Sequence, residues 1–155
     1  MLEVVDISIG QTIQHIPNTV IRLNTVHAKK WTHNIAINDV YFDSMNTPLK
    51  FIKRRDIKNI AAGDGSFLAF SRISGGKSQQ IANIAEPMGI QGWQLADELN
   101  RAFSGYPATE FVANPLIMTT NSIQKAGNYD MDAKIPYRKN YQAIWSINKL
   151  PIAGN

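Results

Sequence analysis

One segment, residues 92–104, constrains the architecture of this chain more than any other. Leu95, Leu99 and Phe103 recur at i, i+4 and i+8, with Ala96 and Ala102 beside them. That spacing places them on one apolar stripe of a helix, with Asp97, Glu98 and Arg101 facing out. Gly105 follows where a helix would end in left-handed backbone. No other segment shows helical periodicity of this quality. A helix so short has to lean on a larger body, and the stripe is expected to be buried there.

The rest of the chain reads as strands. In residues 2–9, Val5, Ile7 and Ile9 alternate with Asp6 and Ser8. Residues 19–26 set Val20, Ile21 and Leu23 against Arg22 and Asn24, and residues 31–37 align Trp31, His33, Ile35 and Ile37. Period two is the signature of a half-buried strand. Val40, Tyr41 and Phe42 continue apolar up to a turn at Asn46-Thr47-Pro48. Residues 49–60 fit either a helical stripe or two strand faces. Gly63-Asp64-Gly65 reads as a tight turn, residues 66–73 as a strand, and Ser74-Gly75-Gly76 as a hairpin turn. Residues 79–85, 109–112, 116–123 and the segment containing Tyr141, Ile144, Trp145 and Ile147 complete the set. About eight short strands with frequent turns predict a mainly antiparallel β-sandwich or barrel with one packed α-helix. The expectation is a single β-rich domain over residues 1–155, with extended arms at 1–14 and 137–155.

Composition narrows the chemistry. The chain of 155 residues has no cysteine, which removes disulfides, thiolate zinc sites and thiol nucleophiles. Charged residues are 18%, against a usual ~25%. No signal peptide is visible at the N-terminus, and no run approaches the roughly 20 apolar residues of a membrane span. The net charge is +4 and the pI about 9.4. The excess concentrates at Lys50, Lys53, Arg54, Arg55 and Lys58, opposed locally by Asp56 alone. Such a cluster suits nucleic acid or an acidic partner, whereas a solvated edge strand is the plainer explanation.

Motifs for catalysis are weak. Ser74-Gly75-Gly76-Lys77-Ser78 ends like a phosphate-binding loop, but Ser71 stands where the first glycine belongs, so a polar hairpin turn is expected. His15, His27 and His33 lack a local acidic third ligand, and His27 and His33 flank Lys29-Lys30. Asp39, Asp43, Asp64, Glu86, Asp97 and Glu98 are scattered, and Asp130-x-Asp132 sits in a turn without the length of a calcium loop. No nucleophile elbow is present. No enzyme, metal or cofactor is therefore expected. Trp31 and Trp145 at strand positions are expected in the core, although they and Trp93, with the tyrosines, could stack on bases beside the basic cluster.

Residues 81–84, followed by Gly89-Ile90-Gln91-Gly92-Trp93 and the Leu95-Ala96-x-x-Leu99-Asn100 helix, resemble an element of penton, spike-base and adaptor proteins in virions of DNA viruses and bacteriophages. The resemblance covers under a third of the chain, and the turn before Trp93 is longer than in that pattern. It implies a non-enzymatic structural subunit of a virus or phage particle, located in the virion after assembly in host cytoplasm. The implied partners are copies of itself and other virion proteins, with non-specific nucleic-acid contact through the basic cluster. The alternative is a nucleic-acid-binding β-barrel using the same five cations.

Overall fold

The computed structural model describes residues 2–126 and 136–147. Its regular elements, in chain order, are α1 (Thr12–His27), β1 (His33–Ala36), α2 (Val40–Phe51), β2 (Lys58–Ala61), α3 (Phe67–Gly75), β3 (Gln80–Ala85), α4 (Met88–Phe103), β4 (Leu116–Thr119), α5 (Thr120–Ala126) and α6 (Tyr137–Ile147). The chain packs as two compact units, Met1–Glu86 with Pro115–Tyr129, and Pro87–Asn114 with Asp130–Asn155.

The first unit carries one sheet in the order β1-β2-β3-β4. β1, β2 and β3 run parallel, and β4 returns antiparallel to β3. Parallel neighbours need crossover connections, and α2 and α3 supply them. This is an α/β architecture, not the antiparallel β-sandwich or barrel expected from the strand-like periodicity.

The misread segments are helices with many β-branched or aromatic residues among their apolar positions. Residues 19–26 lie inside α1, where Thr12, Ile16, Val20 and Leu23 at i, i+4, i+8 and i+11 are all buried. Val40, Tyr41 and Phe42 open α2, which buries Phe42, Met45 and Leu49 at i, i+3 and i+7. Pro17 and Pro48 sit within these helices. Each removes one backbone hydrogen bond and would cost an isolated helix ~3 kcal/mol. Burial of the stripes outweighs that, because helix stability in a folded chain comes mostly from packing. Residues 66–73 form the cap and body of α3. The Ser66 hydroxyl accepts from the Ala69 amide at 3.1 Å, and Gly76 closes the helix in left-handed backbone at φ 61°. The Ser74-Gly75-Gly76 turn thus joins a helix to a strand and is not a hairpin.

Two expected strands stand: β1 lies within residues 31–37 and β3 within 79–85. Of the pair expected across Asn114-Pro115, residues 116–119 are β4, whereas 109–112 carry no strand. Residues 2–8 carry none either. Glu3 instead clips this segment to α1 through Arg22 and His27, and the Tyr41 hydroxyl donates to the Ile7 carbonyl at 2.6 Å. The expected final strand is α6 over residues 137–147; Asp130, Asp132 and residues 148–155 lie outside the described residues.

Ile16, Val20 and Leu23 of α1 and Phe42, Met45 and Leu49 of α2 form the main core with Trp31, Ile57 and Ala61. The sheet follows a period-two pleat except where the β2–β3 register shifts at Asn59 and Ile60, which lets both Gln80 and Asn83 of β3 be buried. Asn59, Ala61, Asn83, Ala85 and Met118 are buried, while Ile35 is 78% and Ile117 70% exposed.

In the second unit, α4 forms where its periodicity predicts, with Gly105 left-handed just beyond it at φ 72°. Its orientation is the reverse of the expectation. Leu95, Leu99 and Phe103 are 64%, 52% and 88% exposed, whereas Asp97 is 3% exposed. The stripe turned toward α6 is Trp93, Asp97 and Arg101. Trp93 stacks on Trp145 with ring centroids 5.3 Å apart and planes 2° apart. Tyr137 meets Trp93 edge-on at 6.2 Å. Aromatic burial of this size competes well with two leucines and a phenylalanine.

Candidate functional site

The loops after β1 and β2 and two side chains of β3 converge on one buried carboxylate. Asp39 stands in the loop that follows β1, at the start of α2, and is 2% exposed. Its Oδ2 accepts from the backbone amides of Gly65 at 3.1 Å and Ser66 at 3.0 Å, both in the loop after β2. Its Oδ1 accepts from Gln80 Nε2 at 2.7 Å and Asn83 Nδ2 at 2.6 Å, both on β3. Four donors from two other elements hold one charge, the condition under which a buried carboxylate is tolerated.

Packing explains why the loop after β2 is written Gly63-Asp64-Gly65. A Cβ on Gly63 would stand 2.6 Å from the Ile37 carbonyl oxygen. One on Gly65 would stand 2.6 Å from the Ala85 Cβ and 3.1 Å from the Phe70 ring. The loop therefore threads between the ends of β1 and β3, and Asp64 between the glycines takes positive φ of 59°. Asn83 Nδ2 also donates to the Gly63 carbonyl at 3.0 Å, and the Glu86 backbone amide to the Asp64 carbonyl at 3.3 Å.

This pinning leaves Asp64, Glu86 and Phe67 at the rim. Burial, together with the charges of Asp39 and Glu86, pushes the Asp64 carboxyl above its ordinary value against an opposing backbone hydrogen bond from Asp39. Phe67, the first residue of α3, is 64% exposed. Carboxylates accept hydroxyl protons, and an aromatic ring covers a C–H face. Together these are the means of holding a polyhydroxylated ligand.

A polar row runs along the covered face of the sheet toward this hub. Trp31 Nε1 donates to Asn34 Oδ1 at 2.7 Å, and Asn34 Nδ2 to Asn59 Oδ1 at 2.8 Å. Asn34 and Asn59 are register partners, as are Asn59 and Gln80. A cleft of about 590 Å³ lies along β1, walled by residues 2–7, α1 and α2, and Ile37 brings its lining to the carboxyl end of β1.

In the second unit the buried Asp97 has a structural explanation. Trp145 Nε1 donates to it at 2.7 Å and Arg101 Nε at 2.9 Å. Burial, with the charges of Asp97 and Glu98, raises the Tyr141 phenol above its ordinary value.

The five cations predicted as a contact surface divide. Arg54 is occupied internally: it binds Asp56 in two bonds, Asn24 and the Ala28 carbonyl at 2.8 Å, and the Trp31 carbonyl at 2.5 Å. Its guanidinium also lies 5.5 Å from the Trp31 ring centroid. Lys50, Arg55 and Lys58 line a common cleft, and Lys53 stands apart from it. The residues that the sequence reading missed are Asp39 and its donors; Gly-Asp-Gly was read as a turn only. The phosphate-loop resemblance at 71–78 fails on topology, since Lys77 and Ser78 follow a helix and precede a strand. His15 and His33 are exposed, and His27 is engaged by Glu3. Among the described residues, no three or more His, Asp or Glu side chains gather as a metal would need. Among the same residues, no helix is long and apolar enough to cross a membrane.

No protein-family model matches the chain. No curated protein matches it either. Solved structures do. An ABC transporter solute-binding protein from Agrobacterium vitis, with bound allitol, superposes with a TM-score of 0.62 at 15% identity, covering 82% of this chain and 43% of that one. An ABC sugar transporter subunit from Rhodobacter sphaeroides 2.4.1 gives a TM-score of 0.60 at 17% identity, covering 78% and 42%. The chain thus spans less than half the length of either. At this identity the likeness establishes the fold: the chain has the α/β fold found in these transport proteins. That finding corrects the virion reading, its shell-protein and homo-oligomer partners and its particle location, because the β-sandwich on which it rested is absent. It equally corrects the nucleic-acid-binding β-barrel, which needs a barrel this chain does not form.

Proposed function

We propose that the chain is a non-catalytic sugar- or polyol-binding domain of the kind that serves ABC transport, with its ligand contacts at the carboxyl ends of β1, β2 and β3. One observation carries this reading: Asp39, in the loop after β1, pins the loop after β2 and is itself bound by two β3 side chains, while the Glu86 amide after β3 bonds the Asp64 carbonyl, so that Asp64, Glu86 and Phe67 are left at one rim. In open α/β sheets ligands bind in the crevice outside the carboxyl ends of the strands. The fold shared with a protein that binds allitol supports the choice of ligand class.

Asp64 and Glu86 accept hydroxyl hydrogen bonds, and Phe67 lies against the carbon skeleton. Asp39 acts one step removed, as a positioning residue that shapes the loop carrying Asp64. Proteins of this transport type close two domains around a ligand. A chain less than half as long offers one side of such a site, so affinity near 1 mM, worth about 4 kcal/mol, is expected for it alone. The test is calorimetric titration with hexitols and hexoses. Millimolar binding that disappears in Asp64→Ala and Phe67→Ala, both folded by circular dichroism, supports the assignment. Heat-silent titrations across both sugar classes would remove it.

A further inference from the structure

The ends of β2 and β3 opposite the rim border a second cleft, of about 550 Å³. Lys50 enters it from the last turn of α2, Lys58 from the first position of β2, Lys77 from the turn between α3 and β3, and Arg55 from the loop before β2. Asn46, Gly76, Ser78 and Gln79 complete the wall. Among the described residues, none of these four cations forms an ion pair with an acid. The nearest candidates in sequence are taken, Asp56 by Arg54 and Asp43 by Arg72. The chain has 16 Lys and Arg against 12 Asp and Glu, so its whole excess of four positive charges equals the charge of this one cleft.

Like charges in a shared concavity repel, and among the described residues none of the four side chains bonds another element. The C-terminal ends of α2 and α3 lie at this side and offset part of the repulsion. Each carries only about half an elementary negative charge, so the cleft stays strongly positive. The wall is also built rather than loose. Gln79 Nε2 donates to the Arg54 carbonyl at 3.2 Å, and the Ser78 hydroxyl accepts from the Gln80 amide at 3.3 Å. Asn46 Oδ1 is buried in the wall without a hydrogen-bond partner. A polar atom left so is costly unless a ligand donor satisfies it.

We infer that this cleft is a second ligand site, for a compact multivalent oxyanion of the phosphate type carrying at least one hydroxyl proton. Four cations from four segments exceed what a single phosphate can use, and the volume admits two or three linked phosphoryl groups. The site is separate from the sugar rim and does not depend on it. It uses side-chain charge alone, since no helix begins at the Gly75-Gly76-Lys77-Ser78 turn to offer its amides.

The experiment is calorimetric titration of the full chain with inorganic pyrophosphate at low salt, alongside sedimentation with phosphatidylcholine vesicles with and without phosphatidate. The expected result is saturable pyrophosphate binding that weakens at least tenfold in the double variant K50S/K77S and in Arg55→Ser. Lys53→Asn, which removes a charge outside the cleft at a residue with positive φ, and Lys29→Ser should bind as the parent does. Binding in solution identifies a free phosphorylated ligand; binding confined to phosphatidate vesicles, with the same variant pattern, identifies a lipid headgroup. Lys50, Arg55 and Lys77 are exposed, and circular dichroism checks that the variants fold. No binding to either probe, or equal weakening by K53N and K50S/K77S, would overturn the site.

Discussion

Two aspartates 25 positions apart do opposite things at the rim. Asp39 is fully enclosed and satisfied, so its removal strands Gly65, Ser66, Gln80 and Asn83 donors at once. Each orphaned buried donor costs about 1–3 kcal/mol. Asp39→Ala should therefore lose at least about 3 kcal/mol in urea unfolding, and a loss below about 1 kcal/mol would show the hub to be slack. Asp64 is held in a conformation its charge disfavours. Its folded pKa is raised from 3.8, so its contribution to stability is fully present below that value and is lost as pH rises through the folded one. Asp64→Asn, which keeps positive φ and drops the charge, should raise Tm at pH 7 and leave it unchanged well below pH 4, where the parent is already protonated. A lower Tm for the variant at pH 7 would contradict the electrostatic account. None of this was legible residue by residue. The four donors to Asp39 lie 26, 27, 41 and 44 positions away, and only the fold brings them together.

At the level of elements, local pattern served where one force dominates. β1 alternates and is a strand, β3 is a strand although Ile81 and Ile84 alternate less cleanly, and α4 has helical spacing and is a helix. It failed where β-branched residues occupy helices: Ile16, Val20 and Leu23 trace a helical stripe, but Ile21 and Leu23 also alternate with Arg22 and Asn24 over a shorter window. It failed again on the facing of α4, because hydrophobicity alone ranks Leu95, Leu99 and Phe103 above a stripe containing Asp97. The pairing of Asp97 with Trp145 and Arg101 reverses that order. Leu99→Asp should accordingly shift Tm little, as an exposed change does. Asp97→Ala, which leaves an indole N–H and a guanidinium without their acceptor, should lower stability by about 1–3 kcal/mol. Thermal melts of the pair decide the facing, and the reverse ranking would restore the Leu95, Leu99 and Phe103 stripe as core.

Across the whole molecule, strand alternation separates two surfaces of one sheet. Met118 points into the buried side and Ile117 out, next to its register partner Ile84. Met118→Lys places an unpaired charge in the core and should prevent folding, whereas Ile117→Lys should fold and gain solubility. Equal damage from both would mean that the exposed side is covered in solution. The basic composition, first taken as a single contact cluster, resolves into one internal arginine, one isolated lysine and three cations sharing a cleft with Lys77 at the amino ends of the strands. The rim at the carboxyl ends is acidic. Ligand chemistry at the two ends of the sheet therefore differs in sign.

The central claim is that a polyol meets this chain at the loops after β1, β2 and β3. The most direct measurement is a two-dimensional amide NMR titration of the full chain with allitol. The account predicts saturable shifts at Gly63, Asp64, Gly65, Ser66, Phe67 and Glu86, with the Lys50, Lys58 and Lys77 amides still. Saturable shifts confined to any other surface, or none up to concentrations well above 1 mM, where a site worth about 4 kcal/mol would fill, would contradict it.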